Sequence, residues 1–253
     1  MTSLLDFPIA VCALSIVVLC LCAWLGATVV ARYAALTAEA RDSFGAVVAA
    51  SLTLLGLIVG FSFSMAISRY DQRKDYEEAE ANAIGTEYVR AELLPAADAA
   101  QLQGLLREYV GQRILYYSTR DAAQLQRIDS QTAQLQAQLW ASVRAAAAAQ
   151  PTPLVALTVA GMNDVLNAQG YTRAAWWNRI PLAAWALMGV IAMLCNVLVG
   201  HVLSHLPARN RLLPILPLLL SIAFLMIADI DSPRGGVIHV GARNLQSLAQ
   251  SLH

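Results

Sequence analysis

Four long apolar runs divide the chain and predict four membrane-spanning helices. They cover residues 7–31, 46–68, 180–203 and 212–230. At ~1.5 Å of rise per residue, about 20 apolar residues cross a hydrocarbon core of ~30 Å. The first run has no basic residue before it and is longer than the apolar core of a signal peptide. We therefore interpret it as a retained membrane helix.

About 110 residues of polar, helical pattern separate the second run from the third. After Asp121, a predicted N-cap, an apolar seam follows with Leu125, Ile128, Leu135 and Leu139 spaced three, four or seven residues apart. This spacing is typical of amphipathic helices, and the alternation of a strand is not seen in the sequence. The predicted fold class is all-α, with four transmembrane helices and a helical domain inserted between the second and third.

The predicted domains follow these runs. Residues 1–68 hold transmembrane helices 1 and 2, and 69–177 form the helical domain. Residues 178–231 hold transmembrane helices 3 and 4, and 232–253 form a C-terminal tail.

Composition supports a membrane protein whose first partner is the lipid bilayer. The chain of 253 residues is 58% hydrophobic and 13% charged, against about 25% charged in soluble domains. Its formal net charge is zero, so a nucleic-acid partner is not expected. The cysteines lie in apolar runs without paired spacing, which predicts neither a disulfide framework nor a zinc site.

Basic residues near the membrane predict the topology. Four spans place both termini and the helical domain on one side. That side carries Arg69, Arg73, Lys74, Arg173, Arg179, Arg234 and Arg243, and the opposite loops carry Arg32, Arg41, Arg209 and Arg211. Because cytoplasmic loops are enriched in lysine and arginine, we expect cytoplasmic termini and a cytoplasmic helical domain.

The second run has an unusual pattern of side chains. Thr53, Leu57 and Phe61 recur every four residues and therefore lie on one stripe of a helix. In an oligomer such a stripe can form an apolar constriction that gates by dewetting. The alternative is an ordinary lipid-facing or helix-packing surface.

Small residues form a second ridge on the same run, and this ridge has two possible interpretations. The ridge consists of Gly56, Gly60 and Ser64, and Ser62 and Ser68 are further small polar residues. Small residues permit close helix packing in membranes. They also leave room for a wet ion path along the helix.

A dense charged segment follows the second run at Arg69, Asp71, Arg73 and Lys74. Such residues could form a charged ring at a pore mouth, or they could belong to a solvated helix with local ion pairs. Seven acidic and three basic residues lie within 71–92, so a vestibule lined by this segment would favour cations.

Polar residues near the last two spans form a further candidate cluster. Asp229 and Asp231 end the fourth span, where they could cap the helix or pair with Arg234 or an arginine of the second helix. Pro214 and Pro217 are predicted to kink the start of that span.

The third span supplies a possible metal pair and one amide side chain. His201 and His205 are one helical turn apart, with Asp42 or Glu39 as a conceivable third ligand, or they are simply interfacial. Asn196 is expected to bond across helices. The sequence contains no catalytic set of residues that would suggest an enzyme, and it predicts no cofactor and no metal.

Three blocks resemble a bacterial family of bestrophin-like membrane proteins of unknown function. They are GFSFSMAISRYDQR at 60–73, EANAIGTEYVRAELLP at 80–95 and DIDSPRGGVIHV at 229–240. The resemblance covers nearly the whole chain. It implies a multi-pass protein of the bacterial inner membrane.

The same residues are distantly similar to bestrophins, which are pentameric ion channels with four membrane helices per subunit. Gly60-Phe61, seven residues and Arg69-Tyr70 match the spacing of the bestrophin second helix. The resemblance implies a pore neck at Thr53, Leu57 and Phe61, although bestrophins have an aliphatic residue at the first of these positions. The acidic calcium clasp of animal bestrophins is not present in the sequence.

Two functions remain open. The first is an oligomeric channel, a pentamer by the resemblance, that passes inorganic ions along its second helix. The second is a membrane-anchored scaffold or signalling protein whose helical domain binds a protein partner.

Overall fold

The computed structural model describes residues 6–33 and 38–252, and the side chains of all of these except 38–42. Every regular element among them is helical, as predicted. The α-helices are α1 (Pro8–Leu25), α2 (Ala31–Tyr33), α3 (Ala38–Arg90), α4 (Ala96–Ser118), α5 (Ala122–Ala149), α6 (Pro153–Trp177), α7 (Leu182–Leu203), α8 (Arg209–Leu212), α9 (Ile215–Asp231) and α10 (Arg243–Ser251). A π-helical turn, Gly26–Val30, joins α1 to α2.

Four helical stretches of the described residues are long and apolar enough to cross a membrane, in agreement with the four predicted runs. The apolar part of the second lies within α3, whose 53 residues measure about 80 Å at ~1.5 Å each. Its apolar part ends at Arg69, where the dense charged run begins. Since about 20 residues fill the hydrocarbon core, the residues after Arg69 extend beyond it.

The chain forms two compact units. The first comprises the described residues within Met1–Arg69 and Arg179–His239, and the second those within Tyr70–Asn178 and Val240–His253. The final residues therefore belong to the second unit, with Leu245 fully buried there.

In the first unit, α1 packs against α7 and α9. Two glycines permit the contact between α1 and α7. A Cβ at Gly200 would strike the carbonyl oxygen of Ala23, and a Cβ at Gly26 would strike that of Val197. Two backbones can approach this closely only where a side chain is missing.

This unit contains Asn196 of the third span and the prolines near the start of the fourth. The amide of Asn196 donates to the carbonyl of Ala192 in its own helix at 2.8 Å, so the expected bond across helices is wrong. The predicted break near the start of the fourth span is confirmed, because α8 ends at Leu212 and α9 begins after Pro214.

The second unit has a core of its own, built by the second part of α3 with α4, α5, α6 and α10. Leu102, Leu106, Leu139, Met162 and Leu245 are fully buried in it. Asp121 caps α5 by accepting from the backbone N–H of Gln124 at 2.7 Å, which confirms the predicted N-cap. Thr152 caps α6 in the same way.

Candidate functional site

Helix α3 has one buried face and one exposed face. Most of its buried residues recur at intervals of three, four or seven, as expected for one side of a helix. They are Val48, Leu55, Ser62, Ala66, Arg73, Glu77, Glu80, Ile84 and Glu87, and Ala81 is buried beside them. The buried face is apolar or small up to Ala66 and charged at several positions after it.

The predicted neck residues lie on the exposed face. Leu57 is 53% exposed and Phe61 is 63% exposed, and Thr53 is also exposed. The Thr53 hydroxyl donates to the carbonyl of Ala49 at 2.9 Å, so its polar group is already satisfied by its own helix. The stripe therefore presents mainly methyl and aromatic surface outside the chain.

The small residues of α3 also lie on this face. A Cβ at Gly56 or Gly60 would meet no atom within 4 Å. Ser64 and Ser68 are exposed, whereas Ser62 is buried and belongs to the opposite face. Among the described residues, then, no contact within this chain accounts for the two glycines.

The four predicted mouth charges do not share one face. Asp71 and Lys74 are exposed, Arg69 is half-buried and Arg73 is buried. The 3–4 residue spacing of the exposed face continues instead through Asp71, Asp75 and Glu78, all of them exposed. Three of the seven acidic residues counted in the sequence, Glu77, Glu80 and Glu87, are buried in the second unit.

A fully buried ion pair joins α3 to α4. The Nε of Arg113 donates to Glu80, and its Nη2 donates to the second Glu80 oxygen at 3.3 Å. Tyr117 and Thr172 donate their hydroxyls to that second oxygen at 3.2 and 3.0 Å. The Glu80 carboxylate thus has partners from α4 and α6 and organises the centre of the second unit.

Electrostatics within this cluster follow from its burial. Burial acts to lower the pKa of Arg113, but the adjacent Glu80 carboxylate outweighs it and raises that pKa above its ordinary value. Burial, and then the charge of Glu80, raise the pKa of Tyr117 and of Tyr109. Both tyrosines therefore remain neutral, and the Arg113 guanidinium remains charged.

Glu87 is a second buried carboxyl, two turns further along α3. Among the described residues neither of its oxygens has a hydrogen-bond partner. A Cβ at Gly161 of α6 would strike Glu87 Oε2 and would lie 2.6 Å from Nη1 of Arg90. Burial raises the pKa of Glu87 to about 8; Arg90 opposes this shift and Asp164 adds to it.

Glu77 anchors the C-terminal helix α10. One carboxylate oxygen accepts from the backbone N–H of Leu245 at 3.0 Å. The other accepts from the side-chain amide of Asn244 at 2.6 Å. An acidic group at a helix N-terminus satisfies free N–H groups and stabilises the helix dipole.

The two aspartates at the end of α9 accept hydrogen bonds from the turn that follows and from the residues just before α7. Asp229 accepts from the backbone N–H groups of Val237 and Ile238, both at 2.8 Å. Asp231 accepts from the N–H of Ile180 at 3.0 Å and lies 3.9 Å from Nε of Arg179. Thus Asp229 binds backbone N–H groups, and Arg179, one arginine near Asp231, lies just before α7.

The glycines of this turn are required by close contacts. A Cβ at Gly235 would strike the carbonyl of Asp6, and a Cβ at Gly236 would lie 2.6 Å from the Asp229 carbonyl oxygen. Arg179 also pairs with Asp6. Residues 229–239 of the block DIDSPRGGVIHV therefore form a turn that packs closely within the first unit.

The histidine pair lies beside an aromatic ring. His201 is buried, with the Phe44 ring edge-on at 5.2 Å and the His205 ring at 6.2 Å. No group of three metal-ligating side chains occurs among the residues whose side chains are described. The side chains of Glu39 and Asp42, the suggested third ligands, lie outside that part.

Sequence reasoning did not identify the buried charges of the second unit. Glu77, Glu80 and Glu87 share the spacing of Ile84 and Ala91, so the pattern of the helix could have placed them on the buried face. Their partner Arg113 lies 33 residues away and gives no local signal.

Together, the four apolar helices and the all-helical second unit define a multi-pass, all-α membrane protein. The chain belongs to the Bestrophin-like family, since the Bestrophin-like domain matches residues 12–245. This confirms the family to which the three sequence blocks pointed. No curated protein matches the chain.

Solved structures of a bacterial bestrophin homologue from Klebsiella pneumoniae share this fold. One determination is 15% identical, covers 96% of each chain and has a TM-score of 0.64. A mutated form is 13% identical and covers 95% of this chain and 98% of that chain, with a TM-score of 0.67. A structure described only as a membrane protein matches with a TM-score of 0.64 at 13% identity, over 95% of this chain and 97% of that one.

Proposed function

We propose that this protein is an oligomeric ion channel in which the exposed face of α3 lines the pore. The observation that carries the proposal is the open space at Gly56 and Gly60, where an added Cβ would meet no atom of the described residues within 4 Å, beside the exposed side chains of Leu57 and Phe61. Lipid tails do not require small residues, whereas close packing of helices from neighbouring copies around a pore does. The Bestrophin-like family and the fold shared with bestrophin homologues support the same function.

The mechanism is passive flow through a narrow apolar neck. Rings of Thr53, Leu57 and Phe61 from several copies would form that neck, and Ser64 and Ser68 would line the wider path beyond it. Such a neck controls conduction through its diameter and wetting. The mechanism needs neither catalysis nor a cofactor.

The mouth beyond the neck is acidic in this proposal. Asp71, Asp75 and Glu78 continue the exposed spacing of α3, and Lys74 lies beside them. A ring of carboxylates concentrates cations at a pore entrance. We leave Arg73 and Arg69 out of the mouth because one is buried and the other half-buried.

Resemblance to bestrophins makes five the expected number of subunits. The proposed location is the bacterial inner membrane, with both termini and the second unit in the cytoplasm. The excess of basic residues on that side supports this orientation.

Ion flux from liposomes tests the proposal. The wild-type protein should purify as a ring-sized oligomer, and alanine at Thr53, Leu57 and Phe61 should raise flux at least ~10-fold by widening the neck. Neutralising Asp71, Asp75 and Glu78 with their amides should shift the reversal potential in a salt gradient toward that of an unselective pore.

Two results would contradict a channel. One is a protein that remains monomeric in detergent. The other is zero flux from both the wild type and the triple alanine variant, which would favour a membrane-anchored scaffold that binds a protein through its helical unit.

A further inference from the structure

A groove on the first unit ends in a basic niche. Its apolar part, of about 600 Å³, lies between residues 16–24 of α1 and residues 210–214 of the α8–α9 connection. Val17, Leu21 and Trp24 are each more than half exposed along it. The groove therefore offers a long apolar surface at the depth of the membrane.

A separate polar niche of about 450 Å³ adjoins the groove. Pro207, Ala208, Asn210 and Arg211 line it, and Asn210 lines both cavities. The Nε of Arg209 donates to the side-chain oxygen of Asn210 at 3.4 Å, which brings a second guanidinium to the same place. One end of the combined cavity is thus polar and basic, and the other is apolar.

Proline chemistry explains why the two cavities meet here. Pro214 has no backbone N–H, so it cannot bond to the carbonyl of Asn210 four residues earlier. Pro217 leaves the carbonyl of Leu213 without its donor for the same reason. The helical ladder breaks between α8 and α9, and the break leaves polar backbone at the rim of an apolar groove.

The two arginines have no acidic partner among the described side chains, since no ion pair there involves Arg209 or Arg211. They lie at the start of the fourth candidate span, so we expect them at the level of the lipid headgroups. Arginine binds phosphate through charge-assisted and bidentate hydrogen bonds.

We propose that this combined cavity binds an anionic phospholipid, with its phosphate at Arg209 and Arg211 and an acyl chain along Val17, Leu21 and Trp24. The inference is independent of whether α3 lines a pore. The lipid would fill the gap between α1 and the broken α8–α9 connection.

Native mass spectrometry of the full chain in detergent tests the proposal with added phosphatidylglycerol and, separately, phosphatidylcholine. Phosphatidylglycerol should bind at least ~10-fold more tightly, and R209Q/R211Q should remove that preference. The control R120Q/R144Q removes two exposed arginines of the second unit and should keep it. Val17→Trp, which fills the groove, should weaken both lipids.

Three results would overturn the site. Equal binding of the two lipids by the wild type excludes recognition of an anionic headgroup. If R120Q/R144Q loses the preference for phosphatidylglycerol as fully as R209Q/R211Q does, the preference depends on overall charge and not on this site. Displacement of phosphatidylglycerol by glycerol 3-phosphate at similar concentration identifies a free phosphate site instead.

A second measurement covers the case in which R209Q/R211Q does not fold. Phosphatidylglycerol with brominated chains should quench Trp24 fluorescence in the wild type more than brominated phosphatidylcholine does. The excess quenching should disappear in Trp24→Phe. Equal quenching by the two lipids would contradict the proposal.

Discussion

The two faces of α3 carry different kinds of residue and different contacts. On the buried face, Glu80 has three side-chain partners and Ala66 is completely covered. On the exposed face, a Cβ added at Gly60 would have no neighbour within 4 Å, and Phe61 is 63% exposed. One side of α3 therefore packs against the rest of the chain, and the other side is exposed.

The glycines show the same contrast between regions. Glycine is required at positions 26 and 200, because a Cβ there would strike the backbone of Val197 or of Ala23. Gly56 and Gly60 follow the spacing of a packing motif, yet in the part of the chain that the structure describes no atom lies within 4 Å of a Cβ added at either one. We infer that substitutions on the buried face change stability, whereas those on the exposed face change assembly or conduction.

Breaking the buried ion pair should have the largest effect. Glu80→Ala leaves Arg113 charged in a site with no exposure, and the removal of one partner from such a pair costs about 3–5 kcal/mol. Unfolding in detergent followed by circular dichroism measures the loss. The exposed Glu78→Ala is the matched control and should stay within about 0.5 kcal/mol of wild type. Similar losses in the two variants would remove the distinction between the faces.

The pH dependence of stability should follow Glu87. Burial raises the pKa of Glu87 to about 8 from an ordinary 4.5, so the folded state favours the neutral carboxyl. Wild-type stability should fall as the pH rises from about 4.5 to 8 and should change little above that range, with a total on the order of a few kcal/mol. Glu87→Gln should flatten this slope and exceed the wild type in stability at pH 8.

Unfolding at pH 5, 7 and 9 checks this prediction, with Glu78→Gln as the exposed control. A slope that is the same in Glu87→Gln and the wild type would show that another group titrates.

Equal additions of bulk to the two faces should give the smallest change in stability. Ala66→Leu overpacks a buried position and should cost about 1–3 kcal/mol. Gly60→Leu meets open space and should leave the stability of the single chain unchanged or raise it by up to about 1 kcal/mol, because glycine is a poor helix former. The same Gly60→Leu change should lower ion flux. A large loss of stability in Gly60→Leu would place that residue in a packed contact.

Local patterns in the sequence were enough to predict the four apolar helices and one helix cap, although α6 continues past Gly170, where its end was expected. The four apolar runs, the N-cap at Asp121 and the break at Pro214 depend on residues close in sequence, and all three predictions are confirmed. The two faces of α3 follow from the same periodicity.

Long-range polar contacts could not be predicted in this way. Arg113 reaches Glu80 across 33 residues, and Asp231 reaches the N–H of Ile180 across 51. Asn196 shows the converse error, since a local bond to Ala192 satisfies the group that was expected to bond across helices. The role of Thr53, Leu57 and Phe61 depends on neighbouring copies, so it stays a prediction.

Thiol accessibility on α3 tests the central claim most directly. Ser64 lies in the middle of the exposed face, and Met65 is about 100° around the helix at its edge. Each would be changed to cysteine in a chain whose Cys12, Cys20, Cys22 and Cys195 are replaced by alanine. A charged thiol reagent should then cut ion flux from liposomes at least ~10-fold for Ser64→Cys and leave Met65→Cys nearly unchanged. Equal responses of the two variants, or flux that the reagent does not reduce in Ser64→Cys, would contradict a pore along this face.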